Sequence, residues 1–198
     1  MLDEIDKTSE KIIQTTLLLL KRDGFTKTTT KKIAAEAGYN EITIFRKFKS
    51  KQYLLETTKD YYLKILLDKL DEIFCFDEDE NIEEYLKICF FGILTLDENN
   101  FSILKVAMEE VRQIPEEKLL ISNITDLIIA KLEEFFKFQK EKGIIKDINT
   151  KSVSVMCYSS LFQTVILWKI YNKSLGFETN NYIDDLLSIF LEGIIIEQ

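Results

Sequence analysis

Apolar residues recur every three to four positions along nearly the whole chain, the period of a helix with one buried face. The first such stretch spans 8–23, where Ile12, Ile13, Thr16, Leu17 and Leu20 form one stripe. Gly24 then provides a C-terminal stop, and Phe25 can fold back onto the helix end. The next stretch, 31–36, is short. Thr29 or Thr30 is positioned to cap it, and only Ile33, Ala34 and Ala37 face inward. Small alanines let a neighbouring helix come close. A third stretch, 41–48, turns Ile44 and Phe48 inward and Glu41, Thr43, Arg46 and Lys47 outward. Between these two short helices stands Gly38-Tyr39-Asn40. A glycine ending one helix and an asparagine capping the next predict two helices meeting at a steep angle, a helix-turn-helix.

The remaining chain keeps the helical period. A fourth helix is expected over 50–74 with Ser50 as its N-cap. The acidic loop Asp77-Glu78-Asp79-Glu80 follows it. Further helices are expected over 82–96, 101–113, 116–142, 151–172 and 182–196. Asn81 and Asn100 read as caps, Pro115 as a first-turn residue, and Gly143 and Gly176 as stops. One proline and six glycines in 198 residues suit few tight turns, so the expected fold is all-α. The division expected is residues 1–50 as a helix-turn-helix domain and residues 51–198 as a helical second domain.

Charge sharpens this picture. The chain carries a net charge of −8, yet from Lys21 to Lys51 nine basic residues face three acidic ones. Surface charges separated by more than about 8 Å are largely screened at physiological salt. A basic face can therefore hold a polyanion on an acidic protein. The chain contains no histidine, which removes Ser-His-Asp and Cys-His catalysis and His-ligated zinc. It has no glycine-rich phosphate loop. Its three cysteines, Cys75, Cys89 and Cys157, lack a C-x-x-C spacing and read as reduced, mostly buried thiols. No enzymatic chemistry, cofactor or metal is expected. The N-terminal residues lack a signal-peptide layout, and no apolar run approaches the ~18 residues of a membrane span. A cytoplasmic protein is expected.

The ordered set Gly24-Phe25, Thr29-Thr30, Ile33-Ala34, Ala37-Gly38, Thr43-Ile44-Phe45-Arg46-Lys47-Phe48 and Ser50-Lys51 resembles the N-terminal domain of tetracycline-repressor-like (TetR family) transcriptional regulators. The matched segment runs from about Ile12 to Leu55. The resemblance implies a homodimer on palindromic double-stranded DNA, with a C-terminal helical domain that dimerises and holds a small-molecule inducer. A helix in the major groove reads base edges from its N-terminal part. Here that part holds Asn40, Glu41, Ile42 and Thr43. Asn40 and Thr43 can hydrogen-bond to bases, Ile42 can touch a thymine methyl, and Glu41 can accept from cytosine or repel phosphate. Arg46 and Lys47 suit phosphates. Lys27, Thr29, Thr30 and Lys31 surround a helix start, where free N–H groups favour phosphate. Lys51 matches the family's phosphate-contacting lysine. Two positions depart from the pattern: Phe45 replaces the usual tyrosine, and Ile42 stands where a small residue is common.

The second half is rich in aromatics. Phe135, Phe136 and Phe138 cannot share one helix face, so they must serve two interfaces. Phe90, Met108, Glu109, Tyr158 and Phe162 are candidates to line an apolar effector pocket, Met108, Tyr158 and Phe162 because the matching helices line it in the family. Leu161, Val165, Trp168, Leu187, Phe190, Leu191 and Ile194 suit a four-helix bundle formed by two subunits. The competing reading is a helical protein-interaction module without specific DNA binding. Salt-dependent DNA affinity separates the two.

Overall fold

The computed structural model describes residues 5–110, 120–172 and 178–196. The described residues form two compact units. One comprises the chain up to Leu66 with Glu98–Ile103, and the other Leu67–Asp97 with the chain from Leu104. In chain order the helices are α1 (Lys7–Lys27), α2 (Thr30–Ala37), α3 (Glu41–Phe48), α4 (Lys51–Ile73), α5 (Ile82–Leu94), α6 (Glu98–Glu110), α7 (Leu120–Glu141), α8 (Thr150–Val165) and α9 (Thr179–Ile194). The expected all-α class is the observed one. Pro115 and Gly176 lie outside the described residues, as does the side chain of Phe25.

The first unit is built on local signals. Ile12, Ile13 and Leu17 of α1 are buried with Ile33, Ala34 and Ala37 of α2, Ile44 and Phe48 of α3, and Leu54 and Leu55 of α4. Leu19 is buried where the stripe placed Leu20, which is half-buried. Thr16 is fully buried because its hydroxyl donates to the Ile12 carbonyl at 2.7 Å. Gly24 interrupts α1 with φ 76 and ψ 172. Past it, Thr28 donates from both its amide and its hydroxyl to the Gly24 carbonyl.

The turn between α2 and α3 satisfies its polar groups within a few residues. Gly38 sits in the left-handed region, φ 77 and ψ 30. The Tyr39 amide reaches back to the Ala34 carbonyl at 2.9 Å and the Gly38 amide to Ala35 at 3.3 Å, a Schellman closure. Asn40 then caps α3, its Oδ1 accepting from the Ile42 amide at 3.0 Å. Upstream, Thr29 rather than Thr30 caps α2, accepting from the Lys32 amide. Ser50 caps α4 by accepting from the Tyr53 amide at 3.1 Å.

The second unit packs α7 along α8 and α5 against α9. Its aromatic residues divide as their spacing requires. Phe135 stacks on Tyr85 of α5 at 3.8 Å, whereas Phe136 approaches Phe190 of α9 at 6.1 Å. Phe138 lies half-buried against Phe76, with the Lys142 ammonium 5.0 Å from its ring centre. Tyr85 is completely buried and donates to the Phe74 carbonyl at 3.1 Å. The segment after α9 pairs with the one after α7: Lys146 N–H donates to Ile194 and Ile196 N–H to Ile144. Asn81 caps α5 and Gly143, at φ 72, follows the end of α7. Asn100 is a correction. It lies within α6 and is buried, because α6 begins at Glu98 rather than after Asn100. α8 continues into a π-helical turn, Ile166–Ile170. The combined helix is long and apolar enough to cross a bilayer by composition. Its Val153, Cys157, Leu161 and Val165 are nevertheless buried within this unit.

Two outcomes follow for the first unit. Nothing lies within 4 Å of where a Gly38 Cβ would stand, so Gly38→Ala meets backbone strain alone. It should cost about 1–2 kcal/mol, read as roughly tenfold faster amide exchange in α2 and α3, with Gly38→Asn milder. The second concerns Asp6, which caps α1 and pairs with Lys47 of α3. The Lys47 hydrogen bond, and then the Ser9 amide, hold its carboxyl down from 3.8 to about 2. A depressed folded value means this stabilisation is present above about pH 3.8 and is lost as pH falls towards 2. In an acid titration followed by circular dichroism, Asp6→Asn should lack that component.

Candidate nucleic-acid interface

α3 is eight residues long and its two faces differ sharply. Ile44 and Phe48 are 0% and 4% exposed, which fixes the helix rotation. Residues on the opposite face must then point to solvent, because 3.6 residues per turn set Ile42 opposite Ile44. Ile42 is 72% exposed and Phe45 47%. Arg46 is exposed beside them, while Thr43 is half-buried.

The polar groups at the head of α3 are partly engaged. Asn40 uses Oδ1 for its cap. Glu41 is half-buried and accepts a 2.6 Å hydrogen bond from the Thr30 hydroxyl. This bond ties the first residue of α2 to the first residue of α3. It engages the hydroxyl of Thr30, a residue expected at the DNA. Thr29, also assigned to DNA, is exposed but its Oγ1 accepts from the Lys32 amide.

The basic residues do not all serve one face. Arg22 forks onto Glu36 at 3.0 and 3.2 Å and also holds Asp23. These carboxylates, Asp23 first, push its already high pKa further up. Lys32 lies 3.7 Å from Asp23, Lys21 pairs with Glu98 at 2.5 Å, and Lys47 pairs with Asp6. Lys27, Lys31, Arg46 and Lys49 are exposed and make no ion pair with another described residue. Lys51 begins α4 half-buried. Lys49 ends α3 at φ 61, its amide donating to the Phe45 carbonyl at 2.9 Å.

Tyr53, which the sequence reading passed over, is 39% exposed on the first turn of α4, two residues after Lys51. Phe45 lacks a phenol, and Tyr53 presents one on a nearby helix start. The Lys47–Asp6 pair was equally hidden, because it joins positions 41 residues apart.

The second unit places its candidates differently. Phe90 is 1% exposed, within the core. Tyr158 is half-buried, shares a 2.7 Å hydrogen bond with Thr125 and stacks on Phe162 at 5.6 Å. Burial raises its pKa despite that bond. The side chains of Met108 and Glu109 lie outside the described residues. Leu161, Val165, Leu187, Leu191 and Ile194 are each buried within a single subunit. Trp168 is half-buried, edge-on to Tyr182 at 4.9 Å. Phe190 and Ile194 border an open groove of about 800 Å³ between α8 and α9, with Met156, Leu186 and Ile189. The buried Cys157 thiol is pushed up to about 12 by desolvation, and that of Cys89 is raised too, so neither is an activated nucleophile. Among the described residues no cluster of acids and thiols is arranged to hold a metal ion.

Residues 12–58 match the model of the bacterial regulatory proteins, tetR family. The chain is 25% identical over 193 residues to the uncharacterized HTH-type transcriptional regulator YvkB of Bacillus subtilis (strain 168), covering 94% of this chain and 97% of that one. The fold is shared with the fatty acid degradation regulator FadR of Bacillus halodurans, at TM-score 0.71, 21% identity and 96% and 98% coverage. It is shared also with a TetR transcription regulator of Haloarcula marismortui, at TM-score 0.72, 16% identity and 97% and 100% coverage. An N-terminal helix-turn-helix followed by a helical domain is the arrangement the structural neighbours share with this chain. Over residues 12–58 the chain thus carries the helix-turn-helix region of the tetR family of bacterial regulatory proteins, and along nearly its whole length it is similar to an HTH-type transcriptional regulator.

Proposed function

We propose that the protein is a cytoplasmic repressor that binds a palindromic operator as a homodimer and leaves it when a small apolar or amphipathic ligand binds. The observation that carries this reading is the outward face of α3, fixed by the burial of Ile44 and Phe48 and flanked by unpaired cations. In the functional division, residues 1–50 contact DNA and residues 51–198 bind the effector and the second subunit.

Lys27, Lys31, Arg46 and Lys51 contact phosphates in this reading, with Thr29 at the α2 start. Lys47 reaches phosphate only by leaving Asp6, and Thr30 acts through Glu41. Phosphate contacts set affinity and register, and base contacts set sequence choice. A two-fold dimer places its two α3 helices about 34–36 Å apart, or a multiple of that, along the duplex.

The groove between α8 and α9 supports the dimer. Ile189 is 74% exposed and Met156 62%, side by side with Phe190 and Ile194 along it. A two-fold partner offering the same groove would complete a four-helix bundle and cover these side chains. The effector site is proposed around Tyr158 and Phe162, with Phe90, Met108 and Glu109 at its margins. One structural relative is described as a fatty acid degradation regulator, so an acyl chain is the first ligand class to test.

The test is fluorescence anisotropy on duplexes from upstream of the protein's own gene, titrated with salt and then with fatty acids. Binding should exceed that to random DNA, fall steeply with salt, and be reversed by ligand. Arg46→Ala and Lys51→Ala should each weaken binding on every sequence and reduce the salt slope by about one. Equal affinity for all duplexes, with an unchanged slope in both variants, would remove the reading. For the dimer, Ile189→Glu should raise the dimer dissociation constant roughly thirtyfold or more in sedimentation equilibrium.

A further inference from the structure

The head of α3 contains two exposed apolar side chains and few uncommitted polar ones. Ile42 is 72% exposed, and Phe45, one turn on and on the same face, is 47% exposed. A single exposed isoleucine needs no explanation. An isoleucine and a phenylalanine adjacent on a groove-facing helix form a patch that contributes nothing to the unit's own core. The polar alternatives are committed: Asn40 Oδ1 to the cap, and the Glu41 carboxylate to Thr30 at 2.6 Å. Glu41 therefore acts as a positioning residue for the α2–α3 corner. Thr43 is half-buried.

The major groove offers one apolar group at base edges, the 5-methyl of thymine. Ile42 is suited to it. As a β-branched residue in a helix it has essentially one χ1 rotamer, so contact orders little that is not already ordered. We propose that Ile42, supported by Phe45, reads a thymine methyl in each half-site, and that this apolar contact rather than a hydrogen bond sets base choice there. The inference rests on α3 being the recognition helix, and the experiment separates the two.

Wild-type protein is first used to select binding sites from a random-sequence duplex library. Each thymine of the enriched site is then replaced singly by deoxyuridine, which removes only the methyl. Wild type and Ile42→Ala are compared by anisotropy. At one thymine per half-site, uracil should weaken wild-type binding about fourfold, the value of one buried methyl-sized group. Ile42→Ala should be indifferent to the same replacement, as a double-mutant cycle requires of a direct contact. Because Ile42 is exposed, the variant should keep the wild-type melting temperature, and Ile42→Val should retain part of the uracil penalty. Uracil tolerated at every thymine, an enriched site without a fixed thymine, or an undiminished penalty in Ile42→Ala would each overturn the proposal. Failure to bind any duplex in a salt-dependent way would instead overturn the assignment of α3, and the proposal with it.

Discussion

The left-handed turn at Gly38 is the constraint on which the first unit depends. At φ 77 and ψ 30 the chain reverses from α2 into α3 within three residues, closed by the Tyr39 amide on Ala34. A Cβ-bearing residue at this φ costs free energy even where space is open. Because the turn is short, α3 is held against α2, and Ile44 and Phe48 bury its inner face in the first unit. That burial determines which side chains face outward. The outward surface is therefore a consequence of the core, set from the opposite side of the same helix.

Electrostatics then selects within the basic segment. Nine cations between Lys21 and Lys51 look like one surface in the sequence. In the fold, Arg22, Lys32, Lys21 and Lys47 are paired with carboxylates of the same unit. These pairs are largely exposed and contribute little stability individually. Their larger effect is to leave Lys27, Lys31, Arg46 and Lys49 of this segment without an ion pair among the described residues. The Thr30–Glu41 bond acts in the same way on the polar groups, withdrawing two candidates and leaving Ile42 prominent.

What the sequence disclosed was local. Caps at Asn40, Ser50 and Asn81, and breaks at Gly24, Gly38 and Gly143, depend on a side chain and backbone a few residues away. The split of Phe135 from Phe136 follows from helical angle alone. What it concealed depends on tertiary approach. Lys47 meets Asp6 across 41 positions, and Thr30 meets Glu41 only because the turn folds α2 against α3. Asn100 carries a capping residue's chemistry but was drawn into α6 and buried. Of the residues read as an intersubunit seam, Leu161, Val165 and Leu187 are packed within one subunit, whereas Met156 and Ile189 on the same helices are exposed. Periodicity marks a buried face without saying which neighbour buries it.

In the proposed function the outward face of α3 meets DNA. The most direct measurement is photocrosslinking with a benzophenone amino acid at position 45, and separately at position 88 on α5, where Ile88 is 54% exposed. Irradiation with labelled duplex should give a protein–DNA adduct at position 45 that fades as salt rises, and none at position 88. Adducts at position 88 without any at position 45 would show that the outward face of α3 is not the DNA-binding surface.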